Sequence, residues 1–172
     1  MRRVLSGLYL GCGWLAGIFL LAIAVMVLAQ VTGRLFGVLV PWADEFAGFC
    51  LGATSFLALS YTFRAGGHVR VSLLLQHWSP PRRRLAELWC LTASTVLAGY
   101  FTFYLADMVW ESFVFGDVGQ AIIPTPLWIP QSAMALGAAA FCVALAHSLV
   151  EVLRGESPAY VAGERPEIER AE

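Results

Sequence analysis

The chain has 172 residues, of which 59% are hydrophobic and 13% are charged, and its mean hydropathy is +0.71. A water-soluble domain of this length has no core large enough to bury so much apolar surface. The composition therefore excludes an ordinary soluble protein and predicts an integral membrane protein. The formal net charge of -1 excludes nothing as a sum, but the placement of the charges along the chain is informative.

The N-terminal apolar stretch predicts a first transmembrane helix over about residues 8–31. Arg2 and Arg3 precede it, and the run from Val27 to Ala29 resembles the cleavage site of a signal peptide. The stretch is longer than the roughly 7–15 apolar residues of a signal peptide, which favours an uncleaved signal-anchor helix. Cleavage would leave three spans and would not change the predicted orientation of the others.

Three further apolar stretches predict helices over about residues 46–63, 86–110 and 129–150. Each is close to the roughly 20 residues that an α-helix needs to cross about 30 Å of hydrocarbon. Helices are expected because every backbone amide in lipid must find its hydrogen-bond partner within the protein. The predicted fold is an all-α membrane domain with four transmembrane helices over residues 1–154, followed by a polar, disordered tail over residues 155–172.

The connections on either side of the second helix are too apolar to be ordinary loops. Most side chains between Arg34 and Asp44 are apolar, which predicts a segment lying along the outer membrane surface. In the next connection an i, i+3, i+4, i+7 spacing of apolar residues predicts an interfacial amphipathic helix, ended by the prolines at positions 80 and 81. The residues with this spacing are Val71, Leu74, Leu75 and Trp78.

The placement of the arginines predicts the orientation of the helices. Ten of the eleven arginines lie before the first helix, between the second and third, or after the fourth, and only Arg34 lies in the first connection. Because cytoplasmic connections carry the excess of basic residues, both termini and the second connection are predicted to be cytoplasmic. Trp42, Trp110 and Trp128 then fall at the outer boundary and Trp89 at the inner one, as expected of indole rings.

Glycine pairs indicate close contacts between helices. Gly48 and Gly52 form a G-x-x-x-G pair in the second helix, and two further pairs lie in the first. Such spacing lets helix backbones approach closely. Packing among the four helices is one interpretation, and docking to another membrane subunit is the alternative. The four cysteines, one in each apolar stretch and without C-x-x-C spacing, are predicted to be packing residues.

No catalytic, metal, cofactor or nucleic-acid site is predicted. The first, second and fourth apolar stretches carry no charge at their centres, so no carboxylate marks an ion or substrate path across the membrane. A haem would need paired axial ligands at similar depth. However, His68 and His77 lie in the cytoplasmic connection and only His147 is near a helix. The residues therefore favour a subunit over an enzyme.

Two groups of residues are candidate interaction sites at the ends of the second helix. At its outer entrance, Trp42, Asp44 and Glu45 are candidates for docking a periplasmic partner. In a second interpretation, compatible with the first, Arg34 pairs with one of the two carboxylates and lowers the cost of holding charge at the interface. The residues predicted to be interfacial or structural at its inner exit are Arg64, His68 and Arg70.

The residues around the second helix also resemble a known family. The run 33–46 (GRLFGVLVPWADEF) leads into a helix containing LGA at 51–53, and FRAGGHVRV at 63–71 is followed by the PPRR break at 80–83. In order and spacing, and with the four-helix layout, these runs are similar to the small membrane subunit (DctQ type) of tripartite ATP-independent periplasmic transporters. The resemblance covers about residues 8–150.

This resemblance implies a function that the residues alone do not give. In that family a periplasmic binding protein delivers an organic acid to two inner-membrane subunits. The large subunit carries the substrate and sodium sites, and the small subunit braces it and helps to dock the binding protein. Two alternatives stay open: the small membrane subunit of a tripartite tricarboxylate transporter, and the membrane anchor of a redox enzyme that binds haem or quinone.

Overall fold

The computed structural model describes residues 2–65, 80–119 and 123–155. In this part of the chain it contains α1 (Arg2–Leu35), α2 (Ala43–Arg64), α3 (Pro80–Phe115) and α4 (Trp128–Leu153). Each of the four helices is long and apolar enough to cross a membrane. The prediction of an all-α fold with four transmembrane helices is therefore confirmed. The predicted amphipathic helix and the tail beyond residue 155 lie outside the described residues.

All four helices extend beyond their predicted bounds, and α3 does so most. It begins at Pro80 rather than near residue 86 and ends at Phe115 rather than near residue 110. The proline pair that is expected to end the preceding segment begins α3, where the N–H that proline lacks would have no helical partner. The helix continues past its apolar centre because residues such as Arg84 and Glu111 are good helix formers.

The helices pack side by side in the order α1, α2, α4, α3. α2 and α4 form the centre of this row, α1 packs mainly on α2, and α3 packs mainly on α4. The two outer helices leave much of their surface uncovered, since Leu21 of α1 is 66% exposed and Val96 of α3 is 67% exposed. In a membrane such side chains face lipid or another subunit.

Small residues bring the central helices into close contact. A Cβ atom on Gly137 of α4 would lie 2.5 Å from the carbonyl carbon of Phe56 in α2, so only glycine fits at this crossing. Between α1 and α2, Cys12, Ala16 and Ala53 are buried in one apolar cluster. The row therefore gains its packing from close backbone approach, as expected where lipid supplies no hydrophobic drive between helices.

The connection between α1 and α2 is a tight turn. The Val38 amide donates to the Gly33 carbonyl at 2.8 Å, and Gly37 adopts a φ of +72° that favours glycine. The turn leaves Phe36 and Leu39 80% and 81% exposed. These side chains belong to the segment expected on the outer membrane surface, and that location stays a prediction.

The connection between α3 and α4 includes an antiparallel β-bridge between Val118 and Pro126. The Gly119 amide donates to the Thr125 carbonyl at 2.9 Å, and the Leu127 amide donates to the Asp117 carbonyl at 3.0 Å. This bridge positions Gly119 next to the start of α2, where the candidate docking residues lie.

Candidate functional site

The first polar cluster lies where α2 begins, at what we name the Trp42 end of the row. Asp44 and Glu45 occupy the first turn of α2, where a carboxylate is stabilised by the positive end of the helix dipole. Asp44 is exposed, whereas Glu45 is half-buried and reaches the α3–α4 connection. A Cβ atom on Gly119 would lie only 2.6 Å from Glu45 Oε1.

The second oxygen of Glu45 is the most unusual atom at this end. Glu45 Oε2 is buried and has no hydrogen-bond partner among the described residues, and the same holds for Gln131 Oε1 in the first turns of α4. A buried acceptor without a partner costs about 1–3 kcal/mol. The Trp42 end therefore holds two buried polar atoms that the described part of the chain does not satisfy.

The other two residues of this end, Trp42 and Arg34, differ in their contacts. Trp42 is 40% exposed and its ring meets that of Phe46 edge-to-face, with centroids 6.1 Å apart. Arg34 is exposed in the last turn of α1, where its charge complements the negative end of the helix dipole. Within the described ranges Arg34 forms no ion pair, so the predicted pair with Asp44 or Glu45 is not formed. The other interpretation, in which Asp44 and Glu45 face a periplasmic partner, stays a prediction.

The second polar cluster lies at the opposite side of the membrane domain, which we name the Arg64 end. Arg64 Nη1 lies 2.8 Å from His147 Nδ1 on α4. His147 Nδ1 in turn lies 3.6 Å from Glu151 Oε1, one helical turn further along α4. The Arg64 guanidinium carbon also lies 5.2 Å from the ring centroid of Tyr9 on α1, within range of a cation–π interaction.

The Arg64 end is strongly desolvated for a charged cluster. Tyr9 is 3% exposed and Glu151 is 6% exposed. A buried carboxylate needs an opposite charge or a hydrogen-bond partner nearby. The Arg64 guanidinium brings positive charge to this cluster, since it contacts His147 Nδ1, which lies 3.6 Å from Glu151 Oε1. Arg84 Nη2 on α3 donates to the Val152 carbonyl of α4 at 3.4 Å, so α3 is also attached at this end. This cluster therefore fixes the ends of all four helices relative to one another.

The interior between the two ends is apolar. The buried cluster that α1, α2 and α4 share at this level consists of small and aliphatic side chains, including Cys12, Leu57 and Ala140. Thr54 is partly buried, and its hydroxyl donates to the Ala16 carbonyl at 3.4 Å. The shared core thus places no charged side chain between the Trp42 end and the Arg64 end.

The predicted glycine contacts are only partly made within the chain. A Cβ atom on Gly52 would lie 3.1 Å from Met134 Sδ of α4, whereas nothing lies within 4 Å of a Cβ on Gly48. The tightest contact, at Gly137, belongs to a small-x-x-x-small pair with Ala133. Packing within the chain therefore accounts for Gly52 and Gly137, and Gly48 stays open to another molecule.

The sequence predicted an interfacial or structural role for Arg64 but no role for the other three residues of its cluster, which are Tyr9, His147 and Glu151. Tyr9 lies in a long apolar run, and Glu151 lies close to the end of the fourth helix, so neither stands out alone. The signal that could have found Glu151 is its i, i+4 spacing from His147. His68 and Arg70 lie outside the described residues, and their predicted interfacial role stays a prediction.

Comparison with known proteins agrees with this geometry. A protein-family model described as "Tripartite ATP-independent periplasmic transporters, DctQ component" matches residues 23–155, which cover all of α2, α3 and α4 and part of α1. No curated protein matches the chain. The matched residues make up well over half of the sequence. The chain is therefore a multi-pass membrane protein that belongs to the DctQ family, the small membrane subunits of tripartite ATP-independent periplasmic transporters.

Proposed function

We propose that this chain is the non-catalytic small subunit of a sodium-driven, binding-protein-dependent transporter for organic acids in the bacterial inner membrane. In this role it braces the large permease subunit, and its Trp42 end helps to dock the periplasmic binding protein. Both termini are cytoplasmic in the proposed orientation. Substrate and sodium then bind to the large subunit, and the present chain contributes surface and rigidity.

One observation carries the bracing role: polar clusters lie at the two ends of the row while the core shared by α1, α2 and α4 between them is apolar. A carrier of ions or organic acids needs charged or broken-helix sites near mid-membrane depth. A row of helices fixed at one end by Arg64, His147 and Glu151 suits a rigid brace instead. The large exposed apolar surfaces of α1 and α3 supply area for contact with a larger subunit.

The docking role is supported by the accessible charge and aromatic ring of the Trp42 end. Asp44 is exposed, Glu45 holds a buried oxygen without a partner among the described residues, and Trp42 presents an indole beside them. An exposed carboxylate next to an aromatic ring suits a partner surface with basic and hydrogen-bond-donating groups, because such complementarity speeds and orients association.

Uptake in vesicles tests the proposal that the large subunit, and not this chain, binds substrate and sodium. The chain alone, in vesicles with an inward sodium gradient, is expected to take up no organic acid, whereas the large subunit, this chain and the binding protein together are expected to do so. Sodium-dependent uptake by the chain alone would overturn the proposal. So would full uptake by the large subunit and the binding protein without this chain.

Charge reversal tests docking separately from assembly. Asp44→Arg together with Glu45→Arg is expected to lower uptake and binding-protein affinity by at least about tenfold, since loss of about 1.4 kcal/mol of binding energy is a tenfold change. Co-purification with the large subunit should be unchanged. Arg154→Glu is the matched control, because Arg154 is exposed at the opposite end. Docking at this surface is rejected if the double variant binds the binding protein like the unmodified complex.

A further inference from the structure

Helix α3 has two different faces. One face packs on α4 and buries Leu91, Leu105 and Ser112, which are spaced by multiples of seven residues. At about 100° per residue, this spacing keeps the buried residues on one side of the helix. The other face is covered by no other helix of the described chain and exposes Val96 and Leu97 in its first half.

The second half of the uncovered face carries a polar stripe, which we define as Tyr100, Tyr104, Asp107 and Glu111. Their spacing of four, three and four residues places them on one side of α3, roughly opposite the residues buried against α4. Tyr100 is 63% exposed, Tyr104 is 51% exposed, and both carboxylates are exposed. The rings of Tyr100 and Tyr104 lie 4.7 Å apart and are tilted by 53°.

The depth of the stripe follows from the tryptophans that flank it. Trp89 and Trp110 are 21 residues apart on α3, which corresponds to about 32 Å along the helix and matches the roughly 30 Å of hydrocarbon. Tyr100 then lies about 15 Å from the level of Trp110, near the middle of the bilayer. Asp107 lies about 5 Å inside the same boundary.

Tyrosine hydroxyls and carboxylates are unfavourable in contact with lipid acyl chains. A hydroxyl without a hydrogen-bond partner in an apolar medium costs several kcal/mol, and carboxylates within membrane spans almost always face protein or water. In the described ranges Asp107 and Glu111 form neither a hydrogen bond nor an ion pair. Tyr100, Tyr104 and Asp107 therefore lack, within the described part of the chain, the partners that their membrane depth demands.

We infer that the polar stripe is the contact surface for a transmembrane helix of the large membrane subunit. That helix places hydrogen-bonding groups opposite Tyr100 and Tyr104, and an arginine or lysine at the depth of Asp107 and Glu111. The identity of the partner rests on the proposed function. The demand for a basic, hydrogen-bonding partner at this depth rests on the stripe itself.

Two other occupants fit the stripe less well. A second copy of this chain would place its carboxylates of the same sign against Asp107 and Glu111, which is repulsive. Lipid acyl chains offer no hydrogen-bond partner at the depth of Tyr100. An open groove of about 520 Å³ beside the stripe, lined by apolar side chains such as Leu97 and Phe101 and also by Tyr100, adds apolar surface that a helix can fill.

Photocrosslinking in the assembled transporter tests the location of the contact. A photoreactive phenylalanine derivative replaces Tyr100, Tyr104 or, as the matched control, Ala106, which is exposed on a different side of α3. Crosslinks to the large subunit are expected at Tyr100 and Tyr104, at several times the yield at Ala106. Equal yields at all three positions, crosslinks to a second copy of this chain, or crosslinks to lipid alone would each overturn the inference.

Charge reversal tests the chemistry of the contact. Asp107→Arg is expected to lower the yield of co-purified large subunit by at least about tenfold, whereas Asp107→Asn keeps an acceptor and loses much less. An unchanged yield with Asp107→Arg contradicts the inference. If the unmodified chain does not bind the large subunit, the proposed function fails as well. If it binds but neither the crosslinks nor the yields depend on the stripe, only the inference about the stripe fails.

Discussion

Arg64 on α2 and His147 on α4 are joined at 2.8 Å between Nη1 and Nδ1, and this contact selects one tautomer of a neutral imidazole. An arginine nitrogen can only donate, so Nδ1 accepts and the proton of a neutral imidazole resides on Nε2. The Glu151 carboxylate, at 3.6 Å from the same Nδ1, then contributes charge to the cluster rather than a hydrogen bond to that atom. The relationship makes Arg64 the central residue of its end of the protein.

Replacing Arg64 is therefore expected to destabilise the membrane domain. Arg64→Ala removes the donor to His147, the cation over the Tyr9 ring and the positive charge near the buried Glu151. We expect a loss of about 1–3 kcal/mol in the free energy of unfolding, measured by denaturation in detergent micelles. Arg154→Ala, at an exposed position near the same end, should change stability little. Equal stability of the two variants would contradict a central role for Arg64.

His147 offers a second test of the same contact. His147→Gln keeps an acceptor for the Arg64 guanidinium and should lose less stability than His147→Leu, which leaves the donor without a partner. The double variant Arg64→Ala with His147→Leu should lose less than the sum of the two single variants, because they remove one shared interaction. This coupling is measured by unfolding the unmodified chain, Arg64→Ala, His147→Leu and the double variant in the same micelles. Strict additivity would mean that the 2.8 Å contact contributes no stability.

The crossing of α2 and α4 gives a third prediction, which concerns backbone distance rather than charge. Gly137→Ala places a methyl group 2.5 Å from the Phe56 carbonyl carbon, and a backbone atom cannot move aside as a flexible side chain can. We expect a loss of about 1–3 kcal/mol, measured by thermal or chemical unfolding. Gly48→Ala is the matched control, since nothing lies within 4 Å of its Cβ and alanine is the better helix former. Comparable losses in both variants would refute the close crossing.

The helices and their boundaries show what the sequence can reveal about this fold. Length and hydropathy suffice to find four spans, because every helix that crosses the bilayer needs about 20 predominantly apolar residues. The same criterion underestimates α3, since Arg84 and Glu111 are polar yet remain helical. Apolar runs mark only where hydrocarbon lies, whereas helix ends depend on capping and on residues such as the prolines at 80 and 81.

The candidate site was less accessible from the sequence, for a physical reason. Asp44 and Glu45 follow each other in the chain, so their grouping needs no tertiary information. The approach of Glu45 to Gly119, and of Arg64 to His147, depends on the order of the helices in the row. Hydropathy does not encode that order, because most of the surface of each transmembrane helix is apolar and small differences in side-chain size decide which helices meet.

The last prediction concerns the orientation of the row in the membrane, and it rests on the distribution of the arginines. With the four natural cysteines replaced by alanine, single cysteines at Asp117 and at Arg154 report on the two ends, since both positions are exposed. A membrane-impermeant maleimide added to intact cells whose outer membrane is permeable to it should label Asp117→Cys and leave Arg154→Cys unlabelled until the inner membrane is opened. The excess of arginine at the Arg64 end is the physical reason, because basic connections are retained in the cytoplasm. The reverse labelling pattern would place Asp44 and Glu45 in the cytoplasm, where no periplasmic protein reaches them, and the proposed docking role of the Trp42 end would then be wrong.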